Sequence, residues 1–216
     1  MSIRKENLVQ GEYYHIYNRG VDKRDIFSNE KDLQRFFKSM IEFNVKDPIG
    51  SIYLNTFHKD EELRGKASQL VDFVAFCLNP NHYHFILTPL VEKGIEKFMQ
   101  RLGTGYSLYF NQKEKRTGSL FQGKFKSKHV KSNEYLLQLS SYVNLNNCDE
   151  NGKIKNLLSM SSWKEYINES NFNFCNKEII LGQFESKEKY KKLALSLWKE
   201  TCKKKEEIED LEFIKH

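Results

Sequence analysis

The chain has 216 residues, a formal net charge of +6 and 13% aromatic residues. This length can bury a sizeable core, and the aromatic content argues against a disordered chain. The four scattered cysteines form no C-x-x-C pair, which argues against a cysteine zinc site. A polar N-terminus and the lack of a long apolar run exclude a signal peptide and a membrane span, so we expect a cytoplasmic protein.

The first predicted strand covers residues 12–20, which are rich in aromatic side chains and end at a glycine. Apolar residues at helical spacing then predict an amphipathic helix over residues 29–44. A short strand is predicted at residues 51–54. Two apolar strands follow, at 71–78 and 82–88, and the Asn-Pro-Asn turn between them predicts a hairpin.

His82 and His84 lie two residues apart on the second hairpin strand, so both imidazoles point to one face. The alternate residues make the other face the more apolar one, and helices should cover it. The histidines then lie on the opposite, open face of the sheet. Two neutral imidazoles make a metal half-site, although a bare H-x-H more often reflects hydrogen-bonded or exposed strand histidines.

The segment after the next predicted helix is rich in basic side chains. After a core helix at residues 92–112, Lys124, Lys126 and Lys128 alternate along a predicted strand and share one face. Such a pattern is typical of contacts to a phosphate backbone. The alternative is a solvated edge strand whose charges deter sheet aggregation.

The helix predicted at residues 133–146 carries Tyr135, Gln138, Tyr142 and Asn146 within about 80° of its circumference. Tyr142 and Asn146 are one turn apart and therefore neighbours. Residues 1–150 are predicted to form the main domain. A terminal helix to about residue 210 predicts a helical C-terminal extension at 151–216.

Taken together, two imidazoles and an amide oxygen suit Mg2+ or Mn2+ with open positions for a substrate. A metal on a phosphate oxygen is a Lewis acid, and a tyrosine phenol beside it could attack the phosphorus.

Five motifs in chain order resemble the single-tyrosine HUH transposases, and most closely their REP-associated tyrosine transposase branch. They are residues 14–20 (YHIYNRG), 77–84 (CLNPNHYH), 106–111 (YSLYFN), 118–127 (GSLFQGKFKS) and 141–146 (SYVNLN). The resemblance implies an α+β, ferredoxin-like antiparallel sheet with helices on one face and the nucleophile-bearing helix at the open face. It implies cleavage and rejoining of single-stranded DNA at hairpin-forming repeats.

On the matching positions, the resemblance makes Tyr142 the nucleophile that becomes linked to a 5′-phosphate. His82, His84 and Asn146 match the metal ligands, for Mg2+ or Mn2+. Tyr106, Tyr109 and Tyr135 match no nucleophile position and are interpreted as packing residues. The chain departs from the family pattern at two positions, with Asn79 in place of a frequent methionine and Asn147 in place of a frequent proline.

Six basic residues are predicted to hold the DNA backbone: Arg19, Lys23, Arg24, Lys124, Lys126 and Lys128. Two other interpretations remain open. A non-catalytic nucleic-acid-binding protein on the same scaffold would need the basic and aromatic residues but not the histidines. A metal hydrolase would use His82 and His84 without a covalent step. The sequence does not decide between a monomer and a homodimer.

Overall fold

The computed structural model describes residues 7–47, 69–170 and 172–213, with side chains as far as residue 204. The strand predicted at residues 51–54 lies outside the described residues. Among those described, no helix is both long and apolar enough to span a membrane. The elements in chain order are β1 (Tyr14–Arg19), a 3-10 turn (Val21–Lys23), α1 (Glu30–Glu42), β2 (Val71–Asn79), β3 (His82–Pro89), α2 (Gly94–Lys113), β4 (Lys126–His129), α3 (Asn133–Leu145), β5 (Met160–Ser161), α4 (Trp163–Tyr166), α5 (Glu178–Leu181) and α6 (Lys187–Phe213).

The five strands form one antiparallel sheet in the order β4-β1-β3-β2-β5. The predicted hairpin is confirmed, because Asn79 pairs with His82 across the turn between β2 and β3. The α+β class and the antiparallel sheet are confirmed as well. Strand β5 comes from beyond residue 150 and adds the edge next to β2, and the domain division at residue 150 stays a prediction.

One face of the sheet is apolar, as the alternation along β3 predicted. Tyr83, Phe85 and Leu87 are buried there in a cluster with apolar side chains of α1 and α2. Burial of such side chains is the main driving force for this layer, at roughly 1.5–3 kcal/mol for each large residue. The histidines of β3 consequently point to the other face.

Helix α3 lies on the histidine face, where it and α6 share a second apolar cluster with Ile86 of β3. Polar side chains on its buried side tie it to its neighbours. The Asn144 amide donates to the Tyr190 hydroxyl of α6 at 3.0 Å and accepts from the Ser162 hydroxyl at 2.6 Å. Ser141 donates to the Ala194 carbonyl oxygen. Because buried hydrogen bonds are costly to leave unmade, these contacts hold α3 in one position.

Replacing Gly94 by alanine is expected to lower the free energy of unfolding by about 1–3 kcal/mol, because the added methyl group has no room and forces the neighbouring backbone to shift. An added Cβ would stand 2.2 Å from the Leu70 carbonyl oxygen, where α2 begins against the sheet. Urea denaturation measures the change. Gly103→Ala in the same helix is the matched control, since its Cβ would meet nothing within 4 Å. Equal unfolding midpoints for Gly94→Ala and the unmodified chain would contradict the prediction.

Candidate active site

The strand register brings three sequence motifs onto one face of the sheet. His82 lies opposite Arg19, and His84 lies opposite Tyr17. Tyr17 in turn lies opposite Lys126 on the other side of β1. Directly paired residues of antiparallel strands point to the same face. The histidine pair, an arginine and a lysine from the basic segment therefore share one surface.

His82 meets Asn146, the residue that ends α3. The His82 Nε2 and Asn146 Oδ1 atoms are 3.2 Å apart. Asn79 Nδ2 donates to Asn146 Oδ1 at 2.8 Å and lies 3.2 Å from His82 Nε2. On the far side of the ring, His82 Nδ1 is 2.6 Å from Asn81 Oδ1. An amide oxygen only accepts, so Nδ1 carries the proton and the neutral ring has its lone pair on Nε2.

His84 is paired with His15, a residue that sequence reasoning did not select. The His15 Nε2 and His84 Nδ1 atoms are 2.9 Å apart, and both side chains are buried. Burial, with a smaller contribution from Lys128, lowers the pKa of His15 to about 4, so its imidazole is neutral at pH 7. A neutral imidazole has one donor and one acceptor nitrogen, so this hydrogen bond couples the tautomers of the two rings.

Tyr142 lies beside this histidine pair. Its ring is edge-on to His84, with centroids 5.3 Å apart, and to His15, with centroids 6.2 Å apart. Burial raises the pKa of the phenol, and a hydrogen bond with Asn146 lowers it by a smaller amount. The phenol is therefore protonated at neutral pH.

A cleft of about 460 Å³ opens between the sheet face and α3. Tyr135, interpreted from the sequence as a packing residue, forms part of its wall. By contrast, Tyr106 is fully buried under the opposite face and donates to the Ile26 carbonyl oxygen. The cleft is lined by His15, Tyr17, His84, Lys128, Tyr135, Gln138, Leu139, Tyr142 and Thr201.

The basic residues surround this face unevenly. Lys126 and Lys128 lie on β4 and are exposed. Lys124 is exposed too but precedes the strand, because Gly123 adopts a φ of 77° and interrupts the extended backbone. The predicted alternation therefore holds for two of the three lysines. Lys23 and Arg24 follow β1, and the Lys23 carbonyl oxygen accepts from Asn81 in the hairpin turn.

The donor set at this face fits a hard or borderline divalent cation. His82 Nε2 and Asn146 Oδ1 are two acceptors at 3.2 Å, close to the separation of about 3 Å between neighbouring ligands with bonds of about 2.1 Å. His84 would contribute Nε2, because Nδ1 is engaged by His15. Among the described residues, no group of three or more His, Cys, Asp or Glu side chains could hold a metal. A metal held by both histidines would therefore need a third ligand of another type, and the Asn146 amide oxygen is such a donor.

Comparison with known proteins gives one family match and one match of the overall fold. Residues 64–146 match the model of the family described as "Transposase IS200 like". No curated protein matches the sequence. A solved structure, that of a REP-associated tyrosine transposase bound to a REP hairpin, has a TM-score of 0.50 and 12% identity to this chain. The match covers 81% of this chain and 90% of that one, and at this identity it shows a shared fold.

The residues matched by the family model include the H-x-H strand and extend through Tyr142 to Asn146, so they contain both pairs in contact here, His82 with Asn146 and His84 with Tyr142. The resemblance predicted from the sequence is thereby confirmed: over residues 64–146 the chain matches the IS200-like transposases, and its fold is that of a REP-associated tyrosine transposase.

Proposed function

We propose that the chain is a metal-dependent, transposase-like enzyme that cleaves and rejoins single-stranded DNA at hairpin-forming repeats, with Tyr142 as the nucleophile. One observation carries the proposal. The Tyr/Asn face of α3 lies against the H-x-H face of β3, with Asn146 at His82 and Tyr142 at His84. Residues far apart in sequence thus form a nucleophile and a ligand set beside one open cleft.

In the proposed reaction, the Tyr142 oxygen attacks the scissile phosphorus and the bond from phosphorus to the 3′ oxygen breaks. The phenol proton passes through solvent to the departing oxygen, which leaves as a 3′-hydroxyl. The 5′-phosphate stays linked to Tyr142, so the phosphodiester can re-form when a 3′-hydroxyl attacks that link. A Mg2+ or Mn2+ ion held by His82, His84 and Asn146 would supply Lewis-acid stabilisation of the charge on the phosphate.

The charge distribution supports a DNA backbone as the partner. Lys126 and Lys128 are exposed on the histidine face, and Arg19 shares it. The Arg19 Nε atom is buried and has no hydrogen-bond partner within the part of the chain that the structure describes. A phosphate oxygen would satisfy this donor. The solved neighbour with this fold is bound to a REP hairpin, which favours hairpin DNA as the substrate class.

The test is a denaturing gel of end-labelled hairpin oligonucleotides with single-stranded flanks, incubated with the full chain and Mn2+ or Mg2+. A slow-migrating, protease-sensitive protein–DNA band is expected, and EDTA should remove it. Cleaved DNA without this band would instead indicate a metal hydrolase. Binding without cleavage that is unchanged in His82→Ala would indicate a non-catalytic binding protein.

His15→Ala is expected to weaken Mn2+ binding by about 10- to 100-fold, the effect usual for a residue that orients a metal ligand. Without its 2.9 Å partner, the His84 ring loses its fixed tautomer and orientation. Isothermal titration calorimetry measures the dissociation constant. His129→Ala is the matched control, since that histidine lies at the end of β4 and pairs with the exposed Glu12. Equal affinities for His15→Ala and the unmodified chain would refute the role of His15.

A further inference from the structure

Tyr135 is one of the tyrosines in the wall of the cleft. It lies on α3 two turns before Tyr142, and its half-buried ring lines the same cleft as Tyr17 and His84. The Lys128 ammonium lies 4.8 Å from the centroid of this ring. An aromatic face and a cation thus meet at the wall of the cleft where the strand to be cut would lie.

Packing alone does not account for this placement. Two of the tyrosines in the core, Tyr106 and Tyr166, are fully buried and donate their hydroxyls to backbone carbonyl oxygens. Tyr135 is half-buried and packs against the cluster under α3. Its side chain also lines the cleft, together with exposed Lys128 and exposed Gln138.

We propose that Tyr135 is a stacking platform for an unpaired base close to the scissile phosphate, and this inference rests on the proposed function. Aromatic faces interleaved with basic side chains are the means by which proteins hold single-stranded nucleic acids. Seven residues of α-helix separate Tyr135 from Tyr142, a rise of about 10 Å. A base stacked on Tyr135 therefore belongs to a nucleotide very near the bond that Tyr142 attacks.

The neighbouring side chains suit the other parts of such a nucleotide. The Lys128 ammonium lies over the Tyr135 ring. A base that stacks on this face takes its place, and the displaced ammonium contacts the phosphate of that nucleotide. Gln138, one turn along α3, carries an amide that both donates to and accepts from the edge of a base. Thr201 of α6 closes the cleft on the far side. The substrate feature recognised here is single-stranded DNA flanking a hairpin, and not the duplex stem.

The test compares two DNA ligands on a chain that cannot cleave. In the Tyr142→Phe background, fluorescence anisotropy gives the dissociation constants for a hairpin with a single-stranded flank and for the same hairpin with a blunt end. Adding Tyr135→Ala is expected to weaken binding of the flanked hairpin by about 5- to 150-fold, the loss of one base–aromatic stack. Binding of the blunt hairpin should not change, and Tyr135→Phe and Tyr135→Trp should bind as tightly as the background chain.

Several outcomes would overturn the proposal. They are an equal loss on both hairpins, no loss on the flanked hairpin, a Tyr135→Phe variant as weak as Tyr135→Ala, or a background chain that does not prefer the flanked hairpin. Leu108→Ala is the control, because it truncates an exposed side chain of α2 on the opposite side of the sheet. The measurement needs no cleavage, so its failure is distinct from absence of the covalent band, which would overturn the proposed function.

Discussion

Replacing Tyr142 by phenylalanine is expected to reduce the covalent protein–DNA adduct to below detection. The substitution removes the single oxygen atom that, in the proposed reaction, forms the bond to phosphorus. It leaves the ring that lies edge-on to His84, so the helix and the cleft should keep their arrangement. The loss of the hydrogen bond with Asn146 should cost only about 1 kcal/mol of stability. Denaturing gels of Tyr142→Phe and the unmodified chain measure the effect.

The matched control for this experiment is Tyr135→Phe. Both tyrosines lie on one face of α3 and line the same cleft, but only the Tyr142 ring is in contact with the histidine pair. Tyr135→Phe is expected to form the adduct at the normal rate. An adduct formed by Tyr142→Phe would show that another residue is the nucleophile, and mass spectrometry of the nucleotide-linked peptide would identify it.

Replacing Asn146 by alanine is expected to raise the Mn2+ concentration needed for half-maximal adduct formation by about 100-fold or more, since it removes one of the three proposed ligands. Asn146→Asp should instead lower that concentration. A carboxylate adds a negative charge to a ligand set that otherwise has none, and hard cations prefer it. The aspartate can still accept the Asn79 hydrogen bond that now reaches Asn146 Oδ1 at 2.8 Å. Metal titrations of adduct formation distinguish the three chains.

Asn151→Ala provides a control, because this exposed asparagine lies in the loop after α3. Its metal titration should match that of the unmodified chain. Identical titrations for Asn146→Ala and the unmodified chain would show that Asn146 is not a ligand. The pair Asn146→Ala and Asn146→Asp also separates metal binding from folding, because both change the same end of α3 and only one retains an oxygen ligand.

The local parts of the site follow from backbone geometry and could be predicted from the sequence. Side chains alternate along a strand, which places His82 and His84 on one face. Residues four apart are neighbours on an α-helix, which places Tyr142 beside Asn146. The Asn-Pro-Asn turn and its two apolar flanks specify the hairpin. These features depend only on residues a few positions apart, and the structure has each of them.

The contacts between these parts depend on tertiary structure. The β1–β3 register brings His15 within 2.9 Å of His84, and one residue of slippage would turn the side chains of β1 to the other face. The position of α3 is set by its packing against the sheet and α6, which places Asn146 at His82. The hydrogen bond from Asn79 to Asn146 also depends on this position of α3.

The same distinction explains why the sequence indicated the packing of Tyr135, which the structure confirms, but not its position in the wall of the cleft. Its helical position predicts which residues are its neighbours on α3, but not which surface that face meets. The surface that Tyr135 faces includes Lys128 of β4, which precedes α3 in the sequence, and Thr201 of α6, which follows it. Periodicity along the chain therefore determined the chemical groups and their local spacing. Long-range packing decided which groups meet, because burial of apolar surface distributed over the whole chain selects the strand register and the helix position.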